Sequence, residues 1–208
     1  MSRDYFGIDI SRWQKNIDYA QASKSVDFVI IKAGGSEDGF YKDSMFEEHY
    51  KMFHDIYNKP CGCYYFVGPN FYGEGSGVAD ANRFINIIKG KKFEYPVSLD
   101  IETTLPARKL EATAAAIAFC DTMEKTGYYV NIYASDISGF KDRLYLNDLK
   151  RFDKWVARYG CEPQIVQYWN MWQYSSSGNI AGIPGRVDVD KSKVDFSAVM
   201  KRSHLNGY

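Results

Sequence analysis

Along this chain, short runs of nearly unbroken apolar residues alternate with longer stretches whose apolar positions recur every three or four residues. Residues 26–33 (Val-Asp-Phe-Val-Ile-Ile-Lys-Ala) and 61–67 (Cys-Gly-Cys-Tyr-Tyr-Phe-Val) are too uniformly apolar for a sheet with one wet face. They predict strands buried on both sides, as in a parallel sheet. Residues 5–11, 97–103 and 128–134 predict three more strands. Between them the spacing predicts helices. One begins near Trp13 and takes in Ile17, Ala20 and Ala22. A second covers 43–57, with Met45, Phe46, His49, Met52, Phe53 and Ile56 on one face. A third covers 79–88, and a fourth covers 107–125, where Leu110, Ala114, Ile117, Cys120 and Met123 recur at helical spacing.

Beyond residue 134 the helices shorten. Residues 144–152 predict a short helix, 154–159, 170–175 and 185–190 predict strands, and 196–201 a last turn of helix. Strands alternating with helices argue for a parallel sheet, and eight strands suggest closure. The expectation is an α/β fold, a single (β/α)8-like barrel with shortened helices in the C-terminal part. Residues 1–201 are expected to form this one barrel domain and 202–208 a tail.

Composition narrows the function. Lys plus Arg number 26 and Asp plus Glu number 26, so no basic surface points to nucleic acid. No apolar stretch reaches membrane-spanning length, and no secretory signal opens the chain at Met1-Ser2-Arg3-Asp4. The reading is a protein made without a leader or stripped of one. The aromatic share of 16% suits either core packing or a cleft that stacks sugar rings. The three histidines (His49, His54, His204) and four cysteines (Cys61, Cys63, Cys120, Cys161) form no cluster at metal-ligand spacing. No metal and no cofactor are expected.

The chemistry concentrates at Val97-Ser98-Leu99-Asp100-Ile101-Glu102. On a strand, residues i and i+2 share a face, their Cα atoms roughly 6.6 Å apart. Asp100 and Glu102 therefore point the same way. Two neighbouring carboxyls in unequal surroundings separate in pKa, which gives the acid and base that glycosidic cleavage needs. Asp-x-Glu alone marks a solvated strand edge or turn as readily. Convergence strengthens it. Asp9, Glu102 and Asp188 fall at the carboxyl ends of different predicted strands, the end where such barrels carry their sites.

With these landmarks in order, the sequence resembles glycoside hydrolase family 25, the Chalaropsis-type lysozymes of bacteria, phages and fungi. The resemblance is carried by Gly7-Ile8-Asp9-Ile10-Ser11 with Trp13-Gln14, by Phe28 to Ala33, by Tyr64 and Phe66, and by Leu99-Asp100-Ile101-Glu102. It continues through Trp155-Val156-Ala157-Arg158-Tyr159, Met171-Trp172-Gln173-Tyr174 and Val187-Asp188, spanning roughly residues 5 to 199. It implies cleavage of the β-1,4 bond between N-acetylmuramic acid and N-acetylglucosamine in the bacterial peptidoglycan glycan strand. Glu102 would be the general acid, and Asp100 would support the 2-acetamido group or the charged transition state. Asp9 and Asp188 would hold both in place. Tyr64, Tyr133, Trp172 and Tyr174 are candidate sugar contacts. The implied place of action is the bacterial cell wall, with phage enzymes released to it at lysis among the family's members.

The sequence departs from the pattern at three points. Ala33 is followed by Gly34-Gly35-Ser36-Glu37 where Thr-Glu-Gly is common, so that acidic position is kept only if Glu37 or Asp38 reaches back. Tyr65 stands where His is common, and Asp190 where Asn is common. Rival readings fit less well. A family 18 chitinase normally carries an Asp where Ser98 stands. A non-catalytic glycan-binding barrel has no use for a proton donor. A serine or cysteine hydrolase needs a histidine beside its nucleophile, and wall-cleaving metal amidases usually use His ligands.

Cys61 and Cys63 lie two apart on one predicted strand, with side chains roughly parallel and Cα atoms near the upper limit for a bridge. Thiol titration of the denatured, non-reduced protein is expected to find four free thiols. Any smaller number would contradict the strand placement.

Overall fold

The computed structural model describes residues 4–208; Met1 to Arg3, on which the absence of a leader was partly read, lie outside it. Nine strands form one sheet: β1 (Tyr5–Ile10), β2 (Phe28–Gly35), β3 (Tyr41–Lys42), β4 (Cys61–Phe66), β5 (Val97–Asp100), β6 (Val130–Ser135), β7 (Asp153–Ala157), β8 (Met171–Gly178) and β9 (Val187–Ser192). The order β1-β9-β8-β7-β6-β5-β4-β2 closes through a β1–β2 pairing, giving an eight-stranded barrel. β3 pairs only with β2, as a short antiparallel flap.

Seven barrel strands run parallel, but β9 is antiparallel to both β8 and β1. The all-parallel expectation therefore fails at the last strand. Only eight residues, 179–186, separate β8 from β9, too few for the crossover that a parallel return needs. Asp188 consequently sits at the start of β9, not at its carboxyl end.

Five α-helices accompany the sheet: α1 (Tyr19–Ser25), α2 (Phe46–Tyr50), α3 (Gly73–Ile88), α4 (Lys109–Lys125) and α5 (Phe196–Ser203). α1 starts later than expected. Asp18 caps it by accepting from the Gln21 N–H at 3.1 Å, while residues 11–14 form a turn. α2 runs into a π-helical stretch, Lys51–Ile56. α3 starts earlier, through Gly73, Gly75 and Gly77. At Gly77 a Cβ would meet the Ala115 carbonyl oxygen at 2.1 Å, so the glycine lets α3 press on α4. The expected helix at 144–152 is only a 3-10 turn, Leu146–Leu149, and an unforeseen π-helical turn occupies Asp136–Lys141.

The apolar residues divide into two bodies. The larger lies between barrel and helices and holds Ile8, Val29, Ile31, Leu99, Ile132, Phe84 and Phe119. The smaller fills the barrel and holds Phe28, Ile30, Tyr95, Tyr133, Trp155 and Met171, with Phe196 and Met200 of α5. Strand alternation sorts side chains between them.

Residues 202–208, set apart as a tail by the sequence, pack back against the body. Asn206 is fully buried in the left-handed region at φ 56°, which asparagine tolerates. Its side chain accepts from the Tyr129 N–H at 2.7 Å and donates to the Tyr95 carbonyl at 2.9 Å. Its backbone donates to the Gly127 carbonyl and accepts from the Phe93 N–H. Asn206→Ala strands two buried backbone groups and should cost about 2–3 kcal/mol. Urea denaturation checks this; a loss under about 0.5 kcal/mol would mean the segment is not part of the folded unit.

Candidate active site

One cavity of about 180 Å³ opens at the carboxyl ends of the parallel strands. It is lined by Asp9, Tyr64, Asp100, Glu102, Tyr133, Trp155, Tyr159, Gln173 and Asp188. Larger recesses of about 340 and 350 Å³ lie on the outside of the fold. Neither gathers a group of carboxyls like this one, so chemistry and not volume picks out the site. Register explains the convergence. Asp9 of β1 lies opposite Asp188 of β9, Asp100 of β5 lies beside Tyr133 of β6, and Tyr133 lies beside Trp155 of β7. All four carboxylates singled out in the sequence meet here, together with Tyr64 and Tyr133.

Trp172 and Tyr174 do not join them. They occupy the other face of β8, where Trp172 packs on Trp169 with ring centroids 5.6 Å apart and its Nε1 donates to the Arg158 carbonyl at 2.8 Å. The residue between them, Gln173, is the one that points inward. Its Oε1 accepts from the hydroxyls of Tyr133 at 2.9 Å and Tyr159 at 2.8 Å, and its Nε2 donates to Asp9 Oδ2 at 2.7 Å. At period two Gln173 and the aromatics on either side take opposite faces of β8, and it is Gln173 that lines the cavity.

Asp100 ends β5 and is buried. Glu102 lies two residues past the strand and is open to solvent at the mouth. Burial pushes the Asp100 carboxyl well above its ordinary range, the neighbouring Glu102 adds to this, and Lys32 opposes it. Glu102 is raised as well, because the protein around it displaces much of its hydration even though water reaches it. Lys32 opposes that rise, Asp188 reinforces it, and a hydrogen bond from Asp100 counters it. Both carboxyls are therefore raised, and Asp100 is the drier of the two.

A second carboxyl pair lies deeper. Asp190, beneath Asp188 on the same face of β9, is fully buried and accepts from Trp155 Nε1 at 2.7 Å. Burial lifts its carboxyl to about 8, with the Trp155 bond opposing. Asp9 is raised well above the usual range by burial, then by Asp190 and Asp188, with the Gln173 bond opposing. Neither Asp190 nor Trp155 was singled out as a site residue from the sequence.

Glu37 does reach back. Its carboxylate pairs with Lys32 Nζ at 3.0 Å and accepts from the Tyr41 hydroxyl, and its charge adds to the rise at Asp100. Gly34 and Gly35 make this possible. A Cβ on Gly34 would meet the Tyr41 carbonyl oxygen at 2.3 Å, and one on Gly35 would meet Glu37 Oε2 at 2.1 Å. Among the described residues no group of three or more His, Cys, Asp or Glu is arranged to hold a metal ion.

Compared with known proteins, residues 8–183 match the model of glycosyl hydrolases family 25. The chain is 29% identical over 187 residues to an autolytic lysozyme of Clostridium acetobutylicum, covering 89% of this chain and 55% of that protein. It thus spans about half the length of that relative. It is 28% identical over 214 residues to lysozyme M1 of Streptomyces globisporus, covering 92% of this chain and 68% of the other. Among solved structures, the bacterial lysozyme of Streptomyces coelicolor superposes with a TM-score of 0.75 at 25% identity, covering 99% of each chain.

The raised carboxyls make folding stability depend on pH in a definite direction. Asp190 keeps its proton in the folded chain up to about 8, whereas its ordinary value is 3.8. The folded state therefore binds more protons between these values, and its stability falls as pH rises through that window. Asp9 and Asp100 act in the same sense. Between about pH 5 and about pH 8.5 the parent should lose roughly 2–4 kcal/mol more stability than Asp190→Asn, which keeps the acceptor for Trp155 and has no proton to lose. Urea denaturation at both pH values measures the difference. Equal losses in the two proteins would place the pH dependence elsewhere.

Proposed function

The chain belongs to glycosyl hydrolase family 25, and on that premise we propose that it is a lysozyme. Its reaction is hydrolysis of the β-1,4 bond between N-acetylmuramic acid and N-acetylglucosamine in the peptidoglycan glycan strand, and its place of action is the bacterial cell wall. The observation that carries this is the Asp100–Glu102 pair, one carboxyl buried and one at the mouth, both with raised pKa in a cavity lined by four carboxyl groups. A glycosidic oxygen is a poor leaving group, so cleavage needs a proton delivered as the bond breaks.

In this reading Glu102 delivers it; its exposure at the mouth, where a glycan can touch it, supports the assignment. On the same reading the pair shares one proton; the substrate's acetamido N–H offers Asp100 a new donor, and that proton passes to Glu102. Asp100, now a carboxylate, holds the acetamido N–H and increases the electron density on its carbonyl oxygen. That oxygen attacks the anomeric carbon as the glycosidic C–O bond breaks, and Glu102 gives its proton to the departing oxygen. Water then adds to the anomeric carbon, the acetamido C–O bond reopens, and the water's proton returns to Glu102. The negative charge at Asp100 stabilises the positive charge that develops in both steps.

The supporting residues have distinct tasks. Gln173 fixes Asp9 and the hydroxyls of Tyr133 and Tyr159 in one network. Asp188 and Asp9 keep the cavity acidic, which favours retention of the proton on the catalytic pair. Tyr64, Tyr133 and Tyr159 offer ring faces and hydroxyls to a sugar.

Glu102→Gln should lower hydrolysis of peptidoglycan by roughly 10²- to 10⁴-fold, and Asp100→Asn at least as much. An aryl glycoside whose phenol leaves without protonation should restore Glu102→Gln and leave Asp100→Asn slow. Rescue of Asp100→Asn instead would reverse the two roles. Mass spectrometry of digested peptidoglycan identifies the bond: reducing-end muramic acid is expected, whereas reducing-end glucosamine or free peptide would overturn the assignment.

A further inference from the structure

The chain has four tryptophans. Trp155, Trp169 and Trp172 are buried, whereas Trp13 is 76% exposed. Trp13 is therefore the tryptophan whose ring is open to a ligand. The turn that carries Trp13 is firmly held. The Gln14 N–H donates to the Ser11 carbonyl at 3.0 Å, the Ser11 N–H to Gln14 Oε1 at 2.9 Å, and the Arg12 N–H to Asp43 Oδ2 at 3.1 Å. The turn follows directly from β1, four residues after Asp9 of the cavity.

Arg12 lies beside Trp13, its guanidinium carbon 5.2 Å from the centroid of the Trp13 ring and 5.3 Å from that of Tyr41. Among the described residues this guanidinium has no carboxylate within ion-pair reach. Several other arginines are engaged: Arg83 with Asp80, Arg158 with Asp136, and Arg143 with the carbonyls of Thr104 and Ser138. A partly exposed cation between aromatic faces, with no anion of its own, is a ready receptor for a carboxylate.

A continuous wall joins this turn to the cavity. Tyr41 donates to Glu37, Glu37 pairs with Lys32, and Lys32 Nζ lies 5.9 Å from the centroid of Tyr64, which lines the cavity. The cavity is small and poorly hydrated, so taking a substrate carboxylate into it beside Asp9, Asp100, Glu102 and Asp188 would be costly. The charged part of a bound glycan must therefore lie on the rim.

Taking the cavity as the site that cleaves a peptidoglycan glycan, we propose that Arg12, Trp13 and Tyr41 form an outer subsite for the same strand. The indole face of Trp13 stacks on the apolar face of an N-acetylated sugar ring. Arg12 binds a carboxylate carried by the strand. Two sources share that chemistry: the lactyl carboxylate of a muramyl residue that has lost its peptide, and a free carboxylate of the stem peptide.

The test measures binding in a Glu102→Gln background, which removes turnover. Three soluble ligands of like length are compared: peptide-bearing glycan, peptide-free glycan with lactyl carboxylates, and chitooligosaccharide, which has no carboxylate. Each should shield tryptophan fluorescence from acrylamide, and Trp13→Phe should abolish most of the quenchable signal. Trp13→Ala should weaken all three by roughly five- to tenfold. Arg12→Gln should weaken the carboxylated glycans by roughly tenfold and chitooligosaccharide hardly at all, with Arg12→Lys in between. Loss confined to the peptide-bearing glycan assigns the carboxylate to the stem, loss confined to the peptide-free glycan assigns it to the lactyl group, and loss with both shows that Arg12 accepts either. Unchanged thermal midpoints exclude unfolding as the cause. Affinity indifferent to both residues, or an equal loss for chitooligosaccharide in Arg12→Gln, would overturn the subsite even if the protein with Glu102 intact cleaves peptidoglycan. Binding with the expected losses but no cleavage by that protein would uphold the subsite and overturn the reaction.

Discussion

The barrel interior holds carboxyl groups that water does not fully solvate, and much of the structure is arranged around that constraint. An unpaired carboxylate taken out of water costs several kcal/mol, and the group responds by keeping its proton or by finding donors. Both responses occur here. Asp190 accepts from Trp155 and Asp9 accepts from Gln173, yet both retain raised pKa values because burial outweighs these bonds. Asp100 has Lys32 nearby and still rises. Asp136 shows the contrary case. It too is buried, but it accepts from the backbone N–H groups of Gln164, Ile165 and Val166 and from Arg158. These donors outweigh desolvation and lower its pKa. The difference marks Asp136 as the anchor of the loop that follows β7, and the cavity carboxyls as the groups for which burial wins.

Closure of the barrel through a reversed last strand bears directly on this chemistry. β9 returns antiparallel beside β8, so its first residues reach the mouth. Asp188 is thereby set opposite Asp9, and Asp190 one layer below on the same face. A parallel eighth strand would have presented its other end. The acidic cluster therefore depends on the short connection between β8 and β9 as much as on the aspartates themselves.

The flap made by β3 works similarly on the opposite wall. Paired glycines at the end of β2 allow the chain to fold back, and Glu37 takes a place beside Lys32 that a residue within β2 would otherwise have to fill. Lys32 is thus held near Asp100 by a carboxylate from outside the strand. The exposed Arg12–Trp13 turn adjoins the same wall through Tyr41, so the route from the Asp100–Glu102 pair to the rim passes through residues that also tune its charge.

The sequence by itself determined the alternation of buried strands with amphipathic helices, the number of barrel strands, and the four carboxylates that meet at the mouth. These properties are local: apolar periodicity reports which residues leave water, and an i, i+2 pair shares a face wherever the strand lies. Tertiary structure alone decided the rest. Period two separates Trp172 from Gln173 but does not say which face is the inside; that follows from the neighbouring strands. The run 187–192 reads the same whether its strand runs up or down, so the direction of β9 follows from how it pairs. Gly73, Gly75 and Gly77 read locally as a loop and become helix because Gly77 must let α4 approach. Asn206 reads as part of a tail, and only the distant backbone groups of Tyr95 and Tyr129 make it a structural bond. In each case the deciding interaction joins residues far apart in the chain, where no local pattern records it.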